Sequence, residues 1–201
     1  NIKTIVINVN TKNTNVVLSN TNNIIYGDGY IQDKLGDYVF KISPNSFYQV
    51  NSIQTSKLYN LAIKEANLTN SDVVCDLYCG IGAIGIFAAN YVKKVYGIEI
   101  VEPAIENAKQ NAEINKIDNI EFILGDVEKL FDEFIKEHSL ENKPNVVFVD
   151  PPRKGLDNST VENLIKLKPA KIIYVSCNPA TLMRDLQKLE EIYNIKSITP
   201  V

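Results

Sequence analysis

Hydrophobic and polar positions follow two different patterns along this 201-residue chain. In the first part, short apolar runs alternate with Asn-rich and Gly-rich turns, which is typical of a small antiparallel sheet. These runs predict strands over residues 4–9, 16–19, 24–26 and 38–42. Apolar side chains then recur with helical spacing and predict a helix over 54–66.

From residue 73 onward, apolar strand-like runs alternate regularly with helical segments. The predicted strands cover residues 73–77, 95–100, 120–124, 146–149, 171–176 and 195–199. The predicted helices begin near residue 82 and then cover 102–115, 126–137, 158–166 and 179–190. This alternation predicts a parallel sheet with helices on both faces. We therefore expect an α/β protein with a small β-rich region over 1–45 and a main domain over 46–201.

Composition and charge narrow the classes of protein. The chain is 45% hydrophobic and 22% charged, and it contains no run of about 18 apolar residues, so we expect a globular protein with no membrane partner. Its three cysteines are too few for a disulfide framework, which favours a reducing, cytoplasmic location. The formal net charge is -3, but the acidic side chains are concentrated in one segment. Residues 99–141 hold 4 lysines against 12 acids, whereas residues 150–188 hold 7 basic against 4 acidic side chains, so a nucleic-acid partner is not excluded.

The end of the first strand of the main domain carries a cofactor-binding pattern. Gly80, Gly82 and Gly85 satisfy G-x-G-x-x-G between a predicted strand and a predicted helix, so the backbone there can approach a ligand closely. Glu99 ends the second strand, where a carboxylate can accept hydrogen bonds from both hydroxyls of a ribose. A nucleoside cofactor is therefore expected.

Two further carboxylates bear on which cofactor this is. Asp76 lies four residues before the first glycine, where it can reach a ligand ammonium but would repel a pyrophosphate. This position favours S-adenosylmethionine over a dinucleotide. Asp126 ends the third strand, and it either contacts the adenine amino group or caps the helix that follows.

The ends of the fourth and fifth strands carry candidate catalytic and substrate-binding groups. Two prolines after Asp150 fix a rigid turn that aims this carboxylate outward, an arrangement suited to holding a planar base. Arg153 and Arg184 are the only arginines in the sequence, and we expect both to make bidentate contacts with substrate phosphate or carboxylate groups. Cys177 lies in a strand-to-helix turn, where the helix dipole favours a nucleophilic thiolate. The alternative for this residue is an unreactive buried cysteine.

The remaining candidates favour ordinary roles. Cys79 falls inside the glycine loop, where we expect it to pack. The spacing of Cys75 and Cys79 lacks the further ligands of a metal site, so we expect no metal. His138 is the only histidine and lies in a polar stretch, where we expect it to be solvated, which argues against a histidine-dependent triad.

Four motifs occur together and in the order of a known family. They are Phe47-Tyr48-Gln49-Val50-Asn51, Asp76-Leu77-Tyr78-Cys79-Gly80-Ile81-Gly82, Asp150-Pro151-Pro152-Arg153 and Ser176-Cys177-Asn178-Pro179-Ala180-Thr181. From about residue 38 to its end, the chain resembles the RNA (uracil-5-)-methyltransferases. The resemblance implies a Rossmann-like class I methyltransferase fold and S-adenosylmethionine as cofactor. The cofactor-binding residues that it implies are Gln49, Tyr78, Ala83, Glu99, Asp126 and Asp150. Some relatives carry a polar residue at position 83, so only the backbone of Ala83 is expected to contribute.

The resemblance implies methylation of uridine at C5 in RNA through a covalent intermediate. Cys177 would add to C6 and so activate C5, Asp150 would hydrogen-bond the uracil edge, and Phe47 would offer an aromatic surface to the base. A base within folded RNA must be unstacked to enter such a pocket. We expect ribosomal RNA rather than transfer RNA as the substrate, and a monomeric protein.

The sequence also departs from the family pattern. The family's general-base glutamate follows the sixth strand, and no residue up to Val201 corresponds to it. The RNA-binding β-barrel of many members and the iron–sulfur cysteine cluster of some have no counterpart in the sequence. Residues 46–201 thus resemble a C-terminally incomplete catalytic domain. We expect residues 1–201 alone to bind cofactor but to turn over poorly.

Two other functions stay open at this point. Amino-group methyltransferases hold an exocyclic nitrogen with a motif similar to Asp150-Pro151-Pro152-Arg153, and Cys177 would then have no role. A noncatalytic RNA-binding domain is the third possibility. Cys177→Ala separates the first two functions, because only the uracil route needs the thiol. Measured affinity for S-adenosylmethionine tests the third.

Overall fold

The computed structural model describes residues 2–11, 18–19, 21–137 and 142–201, without the side chain of Glu137. His138 and most of the predicted strand over 16–19 lie outside these residues. Within the described part of the chain, no helix is long and apolar enough to cross a membrane.

The N-terminal part forms two antiparallel hairpins rather than the single sheet expected. The first pairs β1 (Ile5–Asn8) with β2 (Asn22–Tyr26), and the second pairs β3 (Ile31–Leu35) with β4 (Tyr38–Ile42). The strand β3 was not predicted. Gly36 and Asp37 form the two-residue turn of the second hairpin, and Leu35 and Phe40 on either side of it are buried.

The main domain contains a five-stranded parallel sheet, as the alternation predicts. Its strands are β5 (Val73–Leu77), β6 (Lys94–Glu99), β7 (Ile120–Leu124), β8 (Val146–Val149) and β9 (Lys171–Tyr174). Their order across the sheet is β7-β6-β5-β8-β9. The chain therefore reverses its direction of progress between β5 and β8, and the crevice at the carboxyl ends of these strands is where ligands bind in open α/β sheets.

Six α-helices accompany the strands in the part of the chain that the structure describes. They are α1 (Ser52–Ala66), α2 (Ala83–Ala89), α3 (Glu102–Ile114), α4 (Val127–Glu137), α5 (Asn158–Leu167) and α6 (Pro179–Leu189). Side-chain caps begin four of them, since Asn51, Asp126, Asp157 and Asn178 each accept a hydrogen bond from a first-turn backbone N–H.

The two largest apolar cores lie on opposite faces of the sheet. In β8, Val146 and Phe148 belong to one core, while Val147 and Val149 belong to the other. All four side chains are fully buried. This explains the continuous apolar run in the sequence, because a strand covered by helices on both faces has no polar side.

Asparagines of α3 join the second hairpin to the main domain. Asn111 accepts a hydrogen bond from Lys41 N at 2.7 Å and donates to Lys41 O at 3.2 Å. Asn115 makes the same pair of bonds with Val39, at 2.9 and 2.7 Å. The outer edge of β4 is thus paired with side-chain amides instead of with another strand.

The predicted sixth strand over 195–199 is wrong, because residues 193–201 have no regular secondary structure. Ile195 and Ile198 in this run are 43% and 68% exposed. A strand needs a neighbour that accepts its backbone hydrogen bonds, and none of the described strands pairs with this segment. The apolar pattern of residues 195–199 does not indicate whether such a neighbouring strand is available.

Candidate active site

A cavity opens at the carboxyl ends of β5 and β8, at the crevice where the sheet order reverses. Its lining residues come from the segment before α1, from α1 itself, from β5, from the glycine loop with the start of α2, and from the residue that follows β8. They are Phe47, Tyr48, Gln49, Tyr59, Asp76, Tyr78, Cys79, Gly80, Ile81, Ala83, Ile84 and Asp150. Three of the four sequence motifs therefore meet at one site.

The glycine loop requires its glycines for two different reasons. Gly80 has φ +55°, and a Cβ placed there would meet nothing within 4 Å, so the backbone borders open space beside the cavity. Gly82 has φ +80°, and a Cβ there would lie 2.6 Å from the ring of Phe122. The first glycine leaves room for a ligand, and the second allows the loop to pack against β7.

Asp76 is the most perturbed carboxyl group in the cavity. Its side chain is completely buried, and Oδ2 accepts a hydrogen bond from Gly85 N at 2.9 Å. Among the described residues, Oδ1 has no hydrogen-bond partner. Burial, opposed by the Gly85 bond and reinforced by the charges of Asp150 and Glu99, raises the pKa of Asp76 to about 8. A buried acceptor without a donor fits a cationic or hydrogen-bonding ligand group.

Asp150 faces the same cavity from the end of β8. Burial raises the pKa of its carboxyl to about 6, so it is mostly ionised at neutral pH. The backbone of Asp150 is still attached to the sheet, since its N–H donates to Leu77 O at 3.5 Å. The carboxylate can therefore accept a hydrogen bond from a ligand, and its contact with a base stays a prediction.

Two tyrosines of the cavity wall were not singled out from the sequence. Tyr59 is buried on α1, and its burial, followed by the charges of Asp150 and Asp76, raises the pKa of its phenol. Tyr48 donates to Asp33 Oδ2 at 3.1 Å. The apolar stripe of α1 contains Tyr59, so helical spacing could have placed it inside, but not at the cavity.

Tyr78 and the adjacent loop turn the chain sharply at the end of β5. The backbone of Tyr78 has φ 64°, a left-handed conformation that costs a residue with a side chain about 1 kcal/mol or more. Burial raises the pKa of its phenol to about 12. The sharp turn brings the glycine loop directly behind the strand end.

Glu99 and Asp126 have intramolecular partners, and neither lines the cavity. Glu99 accepts hydrogen bonds from Gly80 N at 3.0 Å and Val101 N at 2.9 Å, and so fixes the glycine loop to β6. Asp126 precedes α4 and accepts from Glu128 N at 3.1 Å, which is the capping alternative raised by the sequence. Contacts of these carboxylates with ribose and adenine stay predictions.

The three cysteines differ in exposure. Cys75 and Cys79 are buried, and burial raises the pKa of both thiols well above its usual value. Cys79 packs in the loop, as expected. Cys177 is exposed between β9 and α6, just before the capping residue of α6. Of the three, only Cys177 is open to a macromolecular substrate, and its role as nucleophile stays a prediction.

The two arginines differ in the partners of their guanidinium groups. Arg153 is exposed after the second proline, and its guanidinium makes no hydrogen bond or ion pair with the described residues. Arg184 bonds through its guanidinium to Asp185, to Lys154 O and to Leu156 O. Its Nε and Nη2 both donate to one oxygen, Asp185 Oδ1, so its carboxylate contact lies inside the chain, and a bidentate contact with substrate stays a prediction. In the described residues, no group of three acidic, histidine or cysteine side chains could hold a metal ion.

Comparison with known proteins identifies relatives of the chain. A model of the family tRNA (uracil-5-)-methyltransferase matches residues 4–199. An uncharacterized RNA methyltransferase of Oceanobacillus iheyensis is 52% identical over 201 residues, which are 100% of this chain and 43% of that protein. Another, of Lactobacillus johnsonii, is 47% identical over 100% of this chain and 44% of that protein. The chain thus spans less than half the length of these curated relatives.

Solved structures of RNA methyltransferases are also similar to the chain. The crystal structure of Pyrococcus abyssi tRNA (uracil-54, C5)-methyltransferase in complex with S-adenosyl-L-homocysteine is 35% identical, with a TM-score of 0.73 over 94% of this chain and 44% of that chain. The tRNA m1G37 methyltransferase of M. jannaschii is 21% identical, with a TM-score of 0.57 over 85% of this chain and 51% of that chain. The second likeness concerns the fold alone.

Proposed function

Because the chain belongs to the tRNA (uracil-5-)-methyltransferase family, we propose that its protein transfers a methyl group from S-adenosylmethionine to C5 of a uridine in RNA. The site supports this proposal chiefly through the buried Asp76 carboxyl, which lines a cavity beside the glycine loop and has one oxygen without a hydrogen-bond partner in the described part of the chain. A cavity with that acceptor fits a cofactor that carries an ammonium and a sulfonium charge.

The residues around the cavity define how the cofactor would be held. Asp76 would accept its ammonium group, and Gly80 would let its chain pass close to the backbone. The family resemblance adds a set of further contacts, namely Gln49, Tyr78, the backbone of Ala83, Glu99, Asp126 and Asp150. When bound, the cofactor supplies an electrophilic methyl group on sulfur.

The protein's own groups would prepare the uracil. The Cys177 thiolate would form a bond to C6, and the C5–C6 electron pair would move into an enolate that makes C5 nucleophilic. Asp150, mostly ionised at neutral pH, would accept a hydrogen bond from uracil N3–H. The ring of Phe47, 73% exposed at the cavity, would stack on a base that has left its helix.

Release of the product would reverse the covalent step. A base removes the C5 proton, the electron pair re-forms the C5–C6 double bond, and the C6–S bond breaks to return the Cys177 thiolate. Following the family pattern, we place this base outside residues 1–201. Ribosomal RNA is the substrate that we favour, on resemblance alone, and transfer RNA is named both in the family's description and for the P. abyssi structure.

Methylation assays on the full-length protein test this proposal. Purified ribosomal and transfer RNAs lacking the modification are incubated with S-adenosylmethionine, and digested nucleosides are analysed by mass spectrometry. We expect 5-methyluridine in one RNA class, no product with Cys177→Ala, and product with the control Cys75→Ala, whose thiol is buried in β5. A methylated exocyclic amine, formed with or without Cys177, would instead establish the amino-group alternative.

A further inference from the structure

We propose that Arg184 and Asp185 are positioning residues that set the location of Cys177 relative to Asp150 during the methylation proposed above. Both lie on α6, and their contacts reach the loop that follows β8. The inference rests on the proposed function, because it concerns the two groups that would act on the uracil.

Asp185 is a buried carboxylate with an almost complete set of donors. Its side chain is 1% exposed, and Oδ2 accepts hydrogen bonds from Leu156 N at 2.8 Å and from the Tyr174 hydroxyl at 2.7 Å. Oδ1 accepts from Arg184 Nε at 2.9 Å and Nη2 at 2.7 Å. Burying a carboxylate costs free energy unless hydrogen-bond donors pair with it. Loss of any of these four bonds is therefore unfavourable, and the four donors are held in fixed positions around Asp185.

Arg184 extends this contact along the loop after β8. Its Nη2 also donates to Lys154 O and to Leu156 O, each at 2.9 Å. The planar guanidinium can serve several acceptors at once, which a lysine ammonium at the same place cannot do with the same geometry. The loop carbonyls are thus bound to the helix that begins just after Cys177.

Gly155 shows how closely the loop and the helix fit. A Cβ at this position would lie 2.6 Å from Arg184 Nη2 and 2.6 Å from Asp185 Oδ2. The backbone of Gly155 has φ +75°, which L-residues with side chains rarely adopt. No side chain fits here without displacing the pair, so the loop is held in contact with it.

The position of the two reactive groups relative to each other depends on these contacts, because the backbone pairing between their two strands, β8 and β9, ends before reaching them. The final backbone bond between β8 and the chain after β9 is Val175 N to Val149 O, at 2.8 Å. Asp150 and Cys177 both lie beyond that bond. Beyond the Val175–Val149 bond, the described hydrogen bonds between the two loops are made by side chains. One of them is donated by Asn178 Nδ2 to Arg153 O at 3.1 Å.

The test uses the full-length protein and RNA that contains 5-fluorouridine, which traps a covalent complex on the nucleophile. Arg184→Lys and Gly155→Ala are compared with the wild type and with the control Lys188→Gln, on the same helix but bonded to Asn158 instead of to the loop. We measure the rate of complex formation, kcat and KM for methylation, and the dissociation constant of S-adenosylhomocysteine.

We expect both variants to lower kcat and the rate of complex formation by about tenfold or more, because a displacement of about 1 Å can cost about 100-fold. KM for the cofactor and the affinity for S-adenosylhomocysteine should stay within about twofold of wild type, and Lys188→Gln should resemble wild type throughout. A purely structural role would lower cofactor affinity and activity together, and that result would overturn the proposal. Rates unchanged in both variants would also overturn it. Absence of a wild-type complex would refute the proposed function itself, and the positioning role with it.

Discussion

Binding of S-adenosylmethionine should release a proton from Asp76, and Asp76→Asn should abolish this release. The carboxyl is buried and lacks a partner for Oδ1 among the described residues, and its environment raises its pKa to about 8. At pH 7, a group with this pKa is protonated in about nine-tenths of the molecules. A ligand cation in contact favours the carboxylate and lowers the pKa by about one to three units.

The expected number of protons released follows from these pKa values. If the ligand lowers the pKa by about two units, to about 6, then about 0.8 proton is released per cofactor bound at pH 7. Because the proton and the ligand cation compete for one carboxylate, the affinity should rise about fivefold between pH 6 and pH 7. Asp76→Asn keeps an oxygen that can accept from Gly85 N, but it has no proton to release.

Isothermal titration calorimetry in buffers of different ionisation enthalpy measures the number of protons released. The wild-type slope should exceed the Asp76→Asn slope by about 0.8 proton, and this difference removes the contribution of Asp150, which titrates near pH 6 in both proteins. Equal slopes would refute the assignment of Asp76 to the cofactor's cation.

The same shift has a consequence for stability without cofactor. The folded pKa lies above the unfolded pKa of about 3.9, so the contribution of Asp76 to stability is complete below about pH 4 and is lost as the pH rises through 8. In urea denaturation, Asp76→Asn should therefore be more stable relative to wild type at pH 8 than at pH 5.

Three further predictions concern packing and RNA contact. Asn111→Leu should lower the free energy of unfolding, measured by urea denaturation, by about 3 kcal/mol. Lys41 N, Lys41 O and Ile81 O each lose a hydrogen-bond partner at about 1 kcal/mol, so a total loss below about 1 kcal/mol would contradict the prediction. Gly82→Ala should lower the melting temperature more than Gly80→Ala, because both share the left-handed strain but only the former meets Phe122, and equal losses would show that the ring yields freely. Arg153→Ala should weaken RNA binding measured by fluorescence anisotropy. It should also reduce the slope of the logarithm of the affinity against the logarithm of the salt concentration by about one unit. An unchanged slope would show that Arg153 does not contact RNA phosphate.

Strands that carry an apolar run could be predicted closely, and a strand without such a run could not. β5 and β8 have their predicted bounds, and every one of their residues is buried between the helices on the two faces. The partly exposed strands β4 and β7 also have their predicted bounds. β3 was missed because three of its five residues are polar and its face toward the core is carried by Leu35 alone. The turn Gly36-Asp37 was the available signal, since Gly-Asp between two runs is typical of a hairpin.

Residue types predicted part of the group that lines the cavity, but not the partners of these residues, and the predicted Glu99, Asp126 and Cys177 do not line it. The strand-end rule brought Asp76, Asp150 and the glycine loop to one cavity, because all follow parallel strands in neighbouring positions. The engagement of Arg184 could not be foreseen, because it depends on the burial of Asp185 and on carbonyls about thirty residues away. The pKa of Asp76 likewise depends on enclosure by distant segments.

The asparagine contacts between α3 and β4 depend on a near match between two repeat lengths. Four residues of helix rise about 6.0 Å, and two residues of strand advance about 6.6 Å. Asn115 and Asn111 therefore face Val39 and Lys41 in step, and the mismatch accumulates with each further pair. At the third step the match has ended, since Asn107 bonds to the hydroxyls of Ser43 and Ser46. A helix can replace a neighbouring strand in this way for only about two steps, enough to close a five-residue edge against pairing with other chains.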